Sequence, residues 1–146
     1  MNSSKRYKKS ELINFTYNIL KKVGLNNSNS KIISDLIIRA DERGVWSHGI
    51  VRLPVYVNRI EKKAAKKNPN FKFKKISNNI FHLSGDNGLG YLAANAGIKK
   101  CVSLAKEKGI GLVAISKSNH FGMAANYLEF ATKNKCIAWV YTNASK

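Results

Sequence analysis

Apolar residues recur at helical spacing through the first third of the chain. Leu12, Phe15, Ile19, Leu20 and Val23 fall on one helical face, Ser10 followed by Glu11 offers a start, and Gly24 supplies a left-handed stop. A second helix is predicted with Ser28 or Ser30 as its cap, Ile32, Ile33, Leu36, Ile37 and Ala40 on one face, and Gly44 closing it. A third begins near Pro54, because proline suits a first helical turn. It directs Val57, Ile60 and Ala64 inward and ends in the lysine run before Pro69.

The period changes after Pro69. Phe71 and Phe73 alternate with lysines, and Ile80, Phe81 and Leu83 follow an Asn78-Asn79 turn, which predicts a hairpin. Gly85 to Gly90 reads as a loop, Tyr91 to Lys108 as a helix and Gly111 to Ile115 as a buried strand. Met123 to Lys135 then reads as a helix and Ile137 to Tyr141 as a further strand. Strand–helix–strand alternation argues for an α/β fold, with a helical part over 1–70 and an α/β part over 71–146. The chain stops at Thr142-Asn143-Ala144-Ser145-Lys146, just past a strand end, where open α/β sheets place their ligands. A break at that point predicts a longer natural protein.

Composition narrows the class. The 146 residues, 44% hydrophobic, suffice for one globular domain or two small ones sharing a core. The opening MNSSKRYKKS has no apolar run behind it, so no secretory signal is expected, and no segment reaches the roughly 20 apolar residues of a membrane span. Cys101 and Cys136 lack metal or redox spacing and read as free thiols of a cytoplasmic protein. A formal charge of +18 would suit an anionic partner such as nucleic acid or lipid headgroups. Yet 21 of the 26 basic residues are lysine, the planar fork of arginine is scarce, and no aromatic–basic interleaving like that of an RNP motif appears. The expectation is no nucleic-acid partner and no membrane.

Candidate chemistry gathers at two histidines. His48 lies between glycine and serine neighbours in a polar segment joining two helices, with Arg52 four residues on to clamp a carboxylate. A surface-loop histidine followed by a helix-start arginine fits the same spacing. His120 follows the apolar strand at Ser116-Lys117-Ser118-Asn119, where α/β proteins often hold a reactive side chain, and where an ordinary capping loop would look similar. His82 reads as a plain strand residue. The glycines of Gly85–Gly90 run GxxGxG, unlike the dinucleotide fingerprint, and fit a packing turn better than a phosphate cradle. No zinc, Walker or Ser-His-Asp pattern is present.

Taken together, Ala40-Asp41-Glu42-Arg43-Gly44-Val45-x-Ser47-His48-Gly49, Arg52-Leu53-Pro54-x-Tyr56, Gly85-Asp86-Asn87-Gly88-Leu89-Gly90, Ser118-Asn119-His120-Phe121-Gly122 and Thr142-Asn143 resemble, in this order, the malate/L-lactate dehydrogenase family of NAD(P)-dependent oxidoreductases. The resemblance runs from about Leu12 to the last residue. It implies an α/β fold of non-Rossmann topology, with an N-terminal helical part carrying a substrate-site loop (1–70) and the incomplete beginning of an NAD(P)-binding domain (71–146). It further implies a homodimer and hydride transfer between NAD or NADP and C2 of a small 2-hydroxy or 2-oxo acid. By the same resemblance His48 and His120 match acid/base positions, Ser47 and Arg52 substrate-binding positions, and Thr142, Asn143 and Ala144 a cofactor-binding strand end, with no metal. An imidazole that titrates near ambient pH suits the proton that accompanies such a hydride. Trp46 departs from the small or acidic residue common there, and Lys62–Lys75 is unusually basic. Members run to more than twice this length, so the isolated chain is expected to be inactive. A truncated remnant or split subunit, and a basic nucleic-acid-binding module, are the competing readings.

Overall fold

Helix α1 (Lys9–Lys22) and helix α2 (Asn27–Glu42) pack along one another, as their apolar stripes require. The computed structural model describes residues 6–143. Leu20, Ile33 and Ile37 are fully buried at this contact, each contributing about 1.5–3 kcal/mol relative to exposure. Gly24 and Gly44 follow the two helices with positive φ, as expected. The starts differ from expectation. Ser10 lies inside α1, which begins one residue earlier and is closed by the Glu11 carboxylate accepting from the Lys8 N–H. The cap of α2 is Asn26, whose side chain accepts from the Asn29 N–H at 2.8 Å, leaving Ser28 and Ser30 inside the helix.

Two short 3₁₀ turns, Trp46–His48 and Ile50–Arg52, lead into α3 (Leu53–Glu61), with Pro54 in its first turn. Leu53, Tyr56 and Ile60 face the core, and Val57 is half-buried. Ala64 is exposed and Ala65 is buried instead, because α3 ends at Glu61 and the chain turns at Lys63, φ 57°.

Strands β1 (Lys72–Lys75) and β2 (Ile80–Gly88) form the expected antiparallel hairpin. Helix α4 (Gly90–Lys108) then crosses to β3 (Leu112–Ser118), which pairs with β2 in parallel to give the order β1-β2-β3. The stretch Gly85–Gly88, expected as loop, is the end of β2. Between Ser84 and Gly88 the register with β3 shifts, and Asp86 and Asn87 take left-handed conformations that these residue types tolerate. This bulge is fastened to the segment after α3: the Asp86 carboxylate accepts from Lys66 Nζ and the Asn70 N–H, and the Asn87 carbonyl accepts from the Lys66 N–H. Gly90 is needed for close packing, since a Cβ there would lie 2.1 Å from the Asn119 carbonyl oxygen. The packing role expected of these glycines therefore holds for Gly90.

Three further expectations are corrected. Strand β3 is mostly exposed, not buried, being the edge of a three-stranded sheet. Helix α5 (Ala125–Lys133) is shorter than the 123–135 expected, and among the described residues no strand follows it. Residues 136–141 keep the alternation of a strand, with Cys136, Ala138 and Val140 turned to the core and Ile137, Trp139 and Tyr141 left 84%, 73% and 86% exposed. A strand is defined by a paired neighbour, and this segment has none among the described residues. One apolar cluster joins α2, α3, α4 and α5, with Ile37, Tyr56, Tyr91 and Tyr127 among its members. Arg39 on α2, Arg43 just after it and Lys133 on α5 converge on Glu129, whose carboxyl is held below its usual range chiefly by the Lys133 hydrogen bond. No described helix is long and apolar enough to cross a membrane.

Candidate active site

The bend after α2 is set by Asp41. Its carboxylate accepts from the Ile50 N–H at 2.8 Å, and Gly49 sits so close that an added Cβ would lie 1.9 Å from Asp41 Oδ1. Burial raises the Asp41 pKa above the ordinary carboxylate value, with the Ile50 hydrogen bond opposing the shift. This latch presents Ser47, His48 and Arg52 together. Ser47 Oγ lies 2.9 Å from His48 Nδ1, and Arg52 Nε donates to the Ser47 carbonyl at 2.7 Å. With Nε so anchored, the two terminal guanidinium nitrogens of Arg52 remain for an incoming anion; no described carboxylate pairs with them.

The second histidine arrives from the far end of the fold. After β3, Asn119 is pinned by its own N–H to the Gly88 carbonyl and by Nδ2 to the Asn87 and Gly88 carbonyls. Arg59 Nη1 donates to Asn119 Oδ1 at 2.8 Å. The His120 carbonyl accepts from the Gly90 N–H at the start of α4. The bulge of β2, the start of α4 and the end of β3 thus converge to fix His120. Its ring stacks on His48 with centroids 5.5 Å apart and planes 26° from parallel.

Beneath the pair lie buried tyrosines. Tyr56 Oη is 2.9 Å from His120 Nδ1 and 3.0 Å from Tyr91 Oη, and the Gly122 N–H donates to the same Nδ1 at 3.2 Å. Tyr127 donates its hydroxyl proton to the Phe121 carbonyl. Burial lowers the His120 pKa below the usual imidazole value, and the neighbouring His48, Arg52 and Arg59 push it the same way. Burial likewise raises the Tyr56 and Tyr91 hydroxyls above theirs, so both stay protonated at neutral pH. Near pH 7 the cluster therefore combines a neutral His120, stacked against His48, with a guanidinium that no described carboxylate occupies.

Of the residues singled out from sequence, Ser47, His48, Arg52 and His120 form one cluster. Thr142 and Asn143 are exposed on the extended tail; the Thr142 hydroxyl donates only to the Asn143 carbonyl, and no described hydrogen bond ties either residue to the histidines. Ala144 lies outside the described residues. His82 sits in β2, bonded to Ser116 Oγ on β3 and apart from the cluster, as expected. Among the described residues no group of three potential metal ligands gathers. Tyr56, Arg59, Tyr91, Asn119 and Asp41 were not assigned roles from sequence. Tyr56 and Arg59, four and seven residues after Arg52, carried a usable signal, since that spacing returns to one helix face. Tyr91, in an alanine-containing helix, carried none.

The profile of the malate/L-lactate dehydrogenase family matches residues 7–146. The malate/(S)-sulfolactate dehydrogenase of Methanothermus fervidus is 38% identical over 125 residues, spanning 86% of this chain and 37% of that protein. The malate dehydrogenase structure from Pyrococcus horikoshii superposes with a TM-score of 0.86 at 33% identity, over 88% of this chain and 37% of that one. The malate dehydrogenase of Entamoeba histolytica gives 0.86 at 32% identity, over 90% and 37%. The chain thus corresponds to little more than a third of the length of these relatives. With helices and a mixed sheet arranged as theirs are, it belongs to the malate/L-lactate dehydrogenase family.

Proposed function

We propose that this chain supplies the substrate-binding and proton-handling side of an oxidoreductase that moves a hydride between NAD or NADP and C2 of a small 2-hydroxy or 2-oxo acid. The observation that carries the reading is the stacked His48–His120 pair beside an arginine whose terminal nitrogens have no described carboxylate partner. Arg52 takes the substrate carboxylate in its fork, which fixes orientation as well as charge, and Ser47 completes that contact. C2 and its oxygen then lie towards the imidazoles. In the oxidative direction His48 receives the hydroxyl proton, and in the reductive direction it returns one. His120 shares the substrate oxygen.

The residues present fit a nicotinamide dinucleotide. An exposed hydroxyl and an exposed carboxamide at Thr142 and Asn143, on a backbone with no strand partner among the described residues, supply donors and acceptors such a ligand requires, and Thr142, Asn143 and Ala144 would hold it. When bound, the nicotinamide supplies the hydride donor or acceptor. In this reading residues 1–70 carry the substrate loop, residues 71–146 begin the cofactor-binding domain, and the protein works in the cytoplasm as a homodimer. A second reading, a split subunit without turnover of its own, is favoured by the exposed Ile137, Trp139 and Tyr141, which need a covering surface.

The kinetic test is made in holoenzyme containing this chain. His48→Asn should lower kcat by ~10²–10⁴. Arg52→Lys keeps the charge but loses the fork, and should raise KM for the acid while leaving KM for the cofactor nearly unchanged. Near-native kcat in both His48→Asn and His120→Asn would overturn the assignment.

A further inference from the structure

The tyrosines under the histidine pair form a directed chain of hydrogen bonds. The Gly122 N–H can only donate, and it points at His120 Nδ1 from 3.2 Å, so that nitrogen carries a lone pair and no proton. Tyr56, 2.9 Å from the same nitrogen, must then donate its single hydroxyl proton there. That leaves Tyr56 Oη as the acceptor for Tyr91, 3.0 Å away. Every proton in the chain Tyr91, Tyr56, His120 is thereby assigned, and all of them run towards the imidazole. The charges that face the ring from the other elements, His48 and Arg52 on the 3₁₀ turns and Arg59 on α3, are cationic or able to become so. Nothing described around the ring rewards a second proton. Protonating Nδ1 would set N–H against the Gly122 N–H and force both tyrosine hydroxyls to turn round, leaving Tyr91, in the core, without a described acceptor.

We infer that Tyr56, oriented by Tyr91, is a positioning residue that holds His120 neutral with its proton on Nε2. His120 then presents a donor to its surroundings and cannot take a proton at that nitrogen. His48 differs, since its Nδ1 meets only the Ser47 hydroxyl, which accepts as readily as it donates, so His48 can present an unprotonated Nε2. The two stacked rings are thus made chemically unequal by what lies behind them: His120 donates a hydrogen bond and His48 exchanges the proton. This division of labour rests on the proposed hydroxy-acid chemistry; the tautomer of His120 does not.

The test is therefore spectroscopic and needs no turnover. In the ¹⁵N-labelled chain near neutral pH, two-bond proton–nitrogen correlations of the imidazoles should show His120 with a proton-bearing Nε2 and a proton-free Nδ1. Tyr56→Phe keeps the buried ring and removes only the hydroxyl. It should raise the titration midpoint of His120 by about one pH unit, the equivalent of one lost hydrogen bond to the neutral ring, while the Gly122 N–H keeps Nδ1 free of a proton in the neutral form. Tyr91→Phe should produce a smaller change in the same direction, and Tyr127→Phe, which removes a buried hydroxyl bonded to Phe121 instead, should produce none. A proton on Nδ1 in the unaltered chain would overturn the inference. So would an unchanged midpoint in Tyr56→Phe, or a Tyr127→Phe effect as large as that of Tyr56→Phe. Failure of the kinetic test with the tautomer intact would instead remove only the proposed reaction.

Discussion

Replacing Gly49 with alanine tests whether Asp41 sets the bend that carries the histidine and arginine. The backbone at Gly49, φ −88°, is open to alanine, so no conformational penalty is expected from the residue type itself. The obstacle is steric: the new Cβ would lie 1.9 Å from Asp41 Oδ1 and 2.3 Å from its Cγ. Asp41 is short and sits in the last turn of α2, so it can clear the methyl only by leaving the Ile50 N–H it holds at 2.8 Å. A hydrogen bond to a charged group contributes about 1.5–3 kcal/mol, and a carboxylate that is only partly buried regains water on release, which favours the lower end. For a chain of this size about 1.5–2 kcal/mol corresponds to a fall in Tm of roughly 3–8 °C. Thermal unfolding of Gly49→Ala, Asp41→Ala and the double variant forms a closed cycle. With Asp41 already reduced to alanine the methyl meets no carboxylate, and Gly49→Ala should be neutral or slightly stabilising, giving a coupling of about 1–2 kcal/mol. Unaltered stability in Gly49→Ala, or the same loss with and without Asp41, would refute the latch.

Three further outcomes are expected. Because the His120 pKa is lowered in the folded chain, the unfolded chain binds more protons as acid is added. Stability should be full above the unfolded histidine value of about 6.5, fall as pH drops below it, and lose this component of the slope in His120→Asn; denaturant midpoints across pH 5–8 measure it. Fluorescence titration of the 146-residue chain should show no micromolar affinity for NADH or NADPH, since Thr142 and Asn143 are the only expected cofactor contacts described. Any binding of DNA should be independent of sequence and collapse with added salt, as counterion release requires of a +18 chain whose basic residues are mostly lysine; discrimination between sequences at physiological salt would revive a nucleic-acid role.

The three N-terminal helices were legible because each buries a single stripe, and an apolar stripe leaves a period in the sequence. Their caps were less so, since Asn26, Ser28 and Ser30 are all competent and only tertiary placement selects Asn26, whose own N–H is held by Asn68 Oδ1. The bulged end of β2 was misread for a physical reason: Asp86 and Asn87 at positive φ use the residue types that turns use. Residues 137–141 show the converse, an alternating pattern that encodes a strand's two faces but cannot supply its neighbour. At the site, His48, Arg52 and His120 stood out as polar residues at element ends. Tyr56 and Tyr91 did not, because an aromatic at a helix's inward position reads as core until its hydroxyl is seen to point at a histidine. Asp41 was hidden in a helix end, eight residues from the glycine it braces.

The central claim, that Arg52 and the histidine pair receive a small hydroxy or oxo acid, is tested most directly by following the imidazole resonances of the ¹⁵N-labelled chain while L-malate or oxaloacetate is added. The account predicts saturable shifts at both His48 and His120, absent at His82 on the neighbouring strand and abolished in Arg52→Gln. Unmoved resonances at His48 and His120, or shifts of the same size in Arg52→Gln, would contradict it.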